Sequence, residues 1–137
     1  MRVSDERRPE ARRDVPVDAA DVNVLRDFIY TTVYIDDKIL EYIVRLGRAT
    51  RHPAEIDRSD LAEFLLAGIS PRSYQHVLAL ARVNAFMHGR TYVRPADVKE
   101  VFADAARHRI TRSIRAQAEN VDADQLLQEI LAAVPIP

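Results

Sequence analysis

From Ser70 to Met87 apolar residues recur so densely that, wound as an α-helix, they cover well over half of its circumference: Tyr74, Val77, Leu78, Leu80, Ala81, Val83, Ala85 and Met87. A helix apolar on most sides must lie against several neighbours, so this stretch reads as the central, most buried element of the fold. Its start is well marked. Ser70 is a preferred N-cap, and Pro71 suits the first helical position, where its missing N–H has no partner to lose. Gly68 lets the chain bend sharply just before. Arg72, Gln75, His76 and Arg82 fall in one narrow polar wedge, where the helix faces something other than core. Arg72 is out of place, because a cation in the first turn meets the positive end of the helix dipole. An anion would offset that, since first-turn N–H groups and a planar guanidinium together suit phosphate oxygens. An arginine that reaches into solvent or pairs with a neighbouring carboxylate is the alternative.

The neighbours such a helix needs are legible on both sides of it. Asp18 with Asp21 reads as a capping box, stapled by Val17 and Val22, opening a helix over about 19–31. Val22, Leu25, Phe28, Ile29 and Thr32 give it one face to bury. After a short connector, Val33-Tyr34-Ile35, the pair Asp36-Asp37 starts a second helix reaching about Arg48, with Ile39, Tyr42, Ile43 and Leu46 inside and Lys38, Glu41, Arg45 and Arg48 outside. Ala49-Thr50-Arg51-His52-Pro53 ends it. A polar loop follows to Arg58, then a short helix capped by Ser59 and carrying Leu61, Phe64 and Leu65. Beyond Met87, Gly89 suits a helix end, Arg90 to Val93 is extended, and Pro95 with Asp97 opens a helix that buries Val98, Val101, Phe102 and Ala105. His108-Arg109-Ile110 closes it, and a looser stretch runs to Asn120. Asp122 and Gln125 form another capping box, stapled by Val121 and Leu126, before a last helix that Pro135 stops. No strand of useful length and no internal repeat stands out. The expected class is all-α, a bundle of roughly six helices, in one domain.

Residues 1–16 carry Arg2, Arg7, Arg8, Arg12 and Arg13 among four acids, with little to bury. They read as a flexible tail or as a linker to something upstream, ahead of a domain over residues 17–137.

Several chemistries are excluded. The chain has no cysteine, which removes thiol catalysis and thiolate metal sites. Only Gly47, Gly68 and Gly89 are glycines, so no phosphate-cradling P-loop is present, and no hydrophobic strand ends in paired acids for magnesium. His52, His76, His88 and His108 lack the pairing of a metalloprotease helix, and Ser70 and Ser73 lack a glycine-flanked elbow. Asp36-Asp37 reads as capping, because adjacent residues at a helix start do not converge on one atom. No catalytic residue and no metal site is expected in this chain alone. A formal net charge of −1 leaves few phosphate contacts for a duplex-binding surface, so a helix-turn-helix reader is the weaker reading. The longest apolar run, Phe64 to Ile69, is too short to cross a bilayer, and a cytoplasmic location is the expectation.

Five islands in order carry a resemblance: Tyr42-Ile43-Val44 followed by Ala49-Thr50-Arg51; Gly68-Ile69-Ser70-Pro71-Arg72; Gly89 through Val98; His108-Arg109-Ile110; and the ending Val134-Pro135-Ile136-Pro137. From about residue 17 on, the chain resembles the C-terminal helical lid of MoxR-type AAA+ ATPases. It departs from the family at Ile69, where alanine is usual, and in the more polar Tyr74-Gln75-His76.

The resemblance implies a lid packed over ATP and Mg held by a preceding P-loop core. Arg72 matches the sensor 2 arginine that reaches the γ-phosphate, positioned by Ser70 and Pro71. It further implies a homo-hexameric ring, chaperone-like remodelling or maturation of protein complexes, and von Willebrand factor A-type partner proteins, with no cofactor for the isolated chain. Arg51 and Arg109 are candidates for contacts to the core or to the next subunit; for each, interaction with a helix C-terminus is the alternative. A stand-alone helical module, binding a partner protein or an anion in the wedge of Arg72, Gln75 and His76, is the competing function.

Overall fold

The computed structural model describes residues 16–137. The expected tail therefore lies, except for Pro16, outside the described residues. Among the described residues six α-helices dominate: α1 (Ala19–Thr32), α2 (Asp37–Arg51), α3 (Pro71–Met87), α4 (Pro95–Ala106), α5 (Ile114–Ala118) and α6 (Ala123–Ala133). Two 3-10 turns, Pro53–Ile56 and Ser59–Glu63, link α2 to a short strand, β1 (Leu65–Ala67), which pairs antiparallel with β2 (Thr111–Arg112). The all-α class stands, with this small sheet added.

Local chemistry explains most of the boundaries. Asp18 and Asp21 close a reciprocal capping box on α1, and Asp122 and Gln125 close another on α6. Asp36 accepts the Lys38 N–H at the start of α2. Gly89 takes a left-handed φ of +70° just past α3, where its N–H reaches the Phe86 carbonyl. α2 runs to Arg51, one turn past the expected end, because the preceding-proline restriction acts only on His52.

The core is formed by α2, α3, α4 and α6. Tyr42 and Leu46 of α2, Val77 and Ala81 of α3, Phe102 of α4, and Leu127 and Ile130 of α6 are all fully buried. α3 packs most extensively on α4, and the small Ala81 and Ala85 on its inner side suit that close approach. The Tyr42 hydroxyl has no partner among the described residues, and burial pushes its phenol up, with Arg45 partly opposing.

Four expectations are corrected. The stripe of α1 is not a buried face: only Ile29 is buried, Val22, Leu25 and Phe28 are about half exposed, and the staple residue Val17 is 69% exposed. The helix stands clear of the body over its first half, so the described residues offer nothing to cover it. α3 is central but not enclosed, since Leu80, Val83 and Met87 are exposed. The segment after Ser59 is a 3-10 turn without a side-chain cap, and Leu65 belongs to β1 instead. The looser stretch before Asn120 contains α5, capped by the Ser113 hydroxyl accepting from the Ala116 N–H.

Candidate functional site

The start of α3 is held by the end of α2. Thr50, itself buried, accepts the Ile69 N–H on Oγ1 at 3.0 Å and donates to the Gly47 carbonyl at 2.7 Å. Gly68 passes so close that a Cβ there would lie 2.5 Å from the Thr50 backbone. Its φ is not positive, so this glycine is required by close approach rather than by the sharp bend expected from the sequence. Gly47 is hemmed in by a side chain instead: a Cβ on it would overlap the Tyr74 ring, which would have to move. Two of the five sequence islands thus interlock and fix where α3 begins.

Ser70 occupies the N-cap position with extended backbone, but its side chain makes no capping bond; its hydroxyl lies 3.5 Å from that of Ser73. Pro71 supplies no N–H, and the Ser73 N–H goes to the Ser70 carbonyl at 2.9 Å. The first turn therefore opens toward Arg72, which is exposed and has no ion-pair partner among the described residues.

The small sheet brings a second arginine to the same place. β1 ends just before Gly68, β2 begins just after Ile110, and their pairing sets Leu65 opposite Arg112 and Ala67 opposite Thr111. The Ser113 hydroxyl donates to the Glu63 carbonyl at 2.6 Å and reinforces the pairing. Arg109 consequently joins Gly68, Ser70, Arg72, Ser73 and His76 around a shallow depression of about 330 Å³. Arg109 Nη1 also donates to the Ala105 carbonyl at 2.6 Å, so it closes the end of α4 as well as facing the depression. Among the described residues none lining the depression carries a carboxylate. Two guanidinium groups, an imidazole, two hydroxyls and a helix N-terminus line it, a set of N–H and O–H donors chemically suited to an anion's oxygens.

Arg51 is not part of it. Its Nη2 donates to the Tyr74 hydroxyl at 2.8 Å, and it stands in the last turn of α2 where a cation complements the helix dipole.

Sequence reading missed the role of Asp97, taken only as a helix-opening acid. It is buried, and its carboxylate accepts both terminal nitrogens of Arg90 at 2.5 Å, the Arg94 N–H at 2.7 Å and the Asn84 amide at 3.2 Å. Burial pushes this carboxyl up, but the Arg90 and Arg94 donors outweigh it and hold it below the usual carboxylate range. The acid three residues after Arg94, in a turn opened by Pro95, was the available signal. His88, Asp97 and Glu100 present potential ligand atoms within 4.8 Å of one another. The Asp97 oxygens are filled by Arg90 and Arg94, and Glu100 accepts from Asn84 at 2.8 Å, so a cation would have to displace a guanidinium. The cluster is built as a hydrogen-bond network that fastens the α3–α4 connection.

The comparisons with known proteins bear on the whole arrangement. The AAA lid domain family matches residues 58–130. Chaperone MoxR1 of Mycobacterium tuberculosis is 33% identical over 104 residues, covering 76% of this chain and 28% of that protein. Protein MoxR of Paracoccus denitrificans is 29% identical over 121 residues, covering 85% and 36%. The crystal structure of a "putative ATPase" from Cytophaga hutchinsonii superposes with a TM-score of 0.82 at 36% identity, covering 86% of this chain and 36% of that one. The chain spans about a third of the length of these relatives. Among the described residues no helix is long and apolar enough to cross a membrane.

Proposed function

The chain belongs to the AAA lid domain family, with MoxR proteins among its relatives, and from that premise we propose that it is the C-terminal lid of a longer MoxR-type AAA+ ATPase. Residues 17–137 form the lid, residues 1–16 lead into it, and the P-loop core that holds ATP and Mg lies outside this chain. The lid closes over the bound nucleotide, and hydrolysis is coupled to chaperone-like remodelling or maturation of protein complexes in the cytoplasm. A homo-hexameric ring and von Willebrand factor A-type partners follow from the same kinship.

The observation that supports this reading is Arg72, a guanidinium at an open helix N-terminus that has no ion-pair partner among the described residues and lies in a depression to which no described residue brings a carboxylate. In the closed lid it contacts the γ-phosphate. A charge-assisted contact of this kind is worth about 1.5–3 kcal/mol, enough to shift the lid between open and closed as the γ-phosphate comes and goes. Arg109 faces the same anion and serves as a core contact; Arg51 contacts the core or the next subunit from the far end of α2.

The test is Arg72→Ala in the full-length protein. ATP turnover falls by about tenfold or more while the circular dichroism of the lid is unchanged. Unchanged turnover overturns the assignment.

A further inference from the structure

Thr50, Ser73 and Asp97 are the buried polar residues among those described. The Thr50 hydroxyl makes two short hydrogen bonds, and the Asp97 carboxylate accepts from Arg90, Arg94 and Asn84. Ser73 differs. It is 3% exposed, and among the described residues its hydroxyl reaches only the Ser70 hydroxyl at 3.5 Å, outside the usual O–H···O range of about 2.5–3.0 Å. Burying a hydroxyl without a bond is costly. Nor does the helix need it: the Ser73 N–H goes to the Ser70 carbonyl at 2.9 Å, and the Ser70 side chain makes no cap. Both hydroxyls are left to the depression that they line with Arg72, His76 and Arg109.

The donor set selects its ligand. The exposed Arg72 offers a planar fork, Arg109 keeps the N–H groups that the Ala105 carbonyl does not take, and an imidazole and two hydroxyls join them. A carboxylate, with two oxygens and about four lone-pair positions, leaves part of this set idle. A tetrahedral phosphate directs oxygens several ways at once, so it can meet guanidinium groups on one side and the buried hydroxyl on another. The donors come from the chain leading into α3, the first turn of α3 and the end of α4. The β1–β2 pairing and the Thr50 bond to Ile69 hold these together within this chain, and no further domain is needed to assemble them.

We propose that the depression binds free inorganic phosphate by itself, with Ser73 as the buried donor of the site. This rests on the phosphate-facing role given to Arg72 above and extends it: the donors that meet the terminal phosphate of ATP in the closed lid also hold phosphate as a free ion, without the core.

Sodium phosphate titrated into the 137-residue chain at constant ionic strength, followed through amide chemical shifts and the thermal midpoint, tests it. The Arg72 and Ser73 amide shifts saturate and the midpoint rises. Sodium chloride at the same ionic strength does neither. Ser73→Ala has a midpoint unchanged or higher when phosphate is absent, because it removes a buried hydroxyl without a bond, and it binds phosphate about tenfold more weakly. Arg72→Ala, at an exposed position, abolishes the saturation. Absence of saturation, an equal response to chloride, or unaltered affinity in Ser73→Ala overturns the proposal. So does sodium acetate binding as tightly as phosphate, which assigns the depression to a carboxylate, and so does ATP saturating the shifts where phosphate does not, which leaves a nucleotide contact only. Phosphate bound by this chain, with turnover of the full-length protein indifferent to Arg72→Ala, sinks the lid contact and leaves this site standing. The reverse pair of results sinks this proposal alone.

Discussion

Thr50 and Ile69, nineteen residues apart, are tied side chain to backbone: the buried Thr50 hydroxyl oxygen accepts the Ile69 N–H at 3.0 Å while donating to the Gly47 carbonyl at 2.7 Å. One hydroxyl thereby closes the last turn of α2 and fixes the residue that leads into α3. Thr50→Val keeps the shape and removes both bonds, leaving a buried N–H without an acceptor. We expect a loss of about 1–3 kcal/mol in urea unfolding, with Thr50→Ser recovering most of it. A Thr50→Val protein as stable as the wild type would show that the bond is incidental.

Gly47 and Tyr74 make a second such lock, since a Cβ at Gly47 would overlap the Tyr74 ring. Gly47→Ala forces the ring away, and with it the hydroxyl that Arg51 holds at 2.8 Å. Overpacking of this kind costs about 1–3 kcal/mol. Tyr74→Ala vacates the space, so Gly47→Ala costs less in that background. The double-mutant cycle should give a coupling of about 0.5–3 kcal/mol, and strict additivity would refute the contact.

The Arg90–Asp97 pair makes stability depend on acid. The folded state holds the Asp97 carboxyl below its unfolded value, so the stabilisation is fully present above about pH 4 and is lost as pH falls from there through the folded value. Asp97→Asn should flatten this acid limb. At neutral pH the same change leaves the Arg90 guanidinium without its counter-charge, and the urea midpoint falls. Urea midpoints measured from about pH 3 to pH 7 on both proteins check both points. A parallel pH profile in Asp97→Asn would place the acid sensitivity elsewhere.

Much of this arrangement was legible in the sequence because helices announce themselves locally. The stripe of α2, the capping boxes at Asp18 and Asp122, and the stop at Gly89 each follow from residues within a few positions of one another. What was not legible depends on partners distant in the chain. β1 and β2 have three and two residues, too short for any alternation to register, yet their pairing is what sets Arg109 beside Arg72. Gly68 looked like a turn residue because glycine often is one, and only the approach of Thr50 reveals the steric reason. The stripe of α1 was read correctly as apolar and wrongly as buried, since periodicity marks a face without saying what covers it.

Arg109 separates a structural role from a phosphate-facing one. It donates to the Ala105 carbonyl at 2.6 Å and lines the depression with Arg72. If it only closes α4, then Arg109→Ala lowers stability by about 1 kcal/mol and leaves nucleotide response intact. If it also faces the phosphate, Arg109→Ala in the full-length protein lowers ATP turnover as well, and Arg109→Lys keeps the charge while losing the planar fork, recovering only part. Two cations on one anion act as a unit, so the loss in the Arg72→Ala, Arg109→Ala double variant should fall well short of the product of the single losses. Turnover measured for the four proteins at low and at high salt decides it. Losses from Arg109→Ala that track stability and ignore Arg72 would assign the residue to the helix end alone.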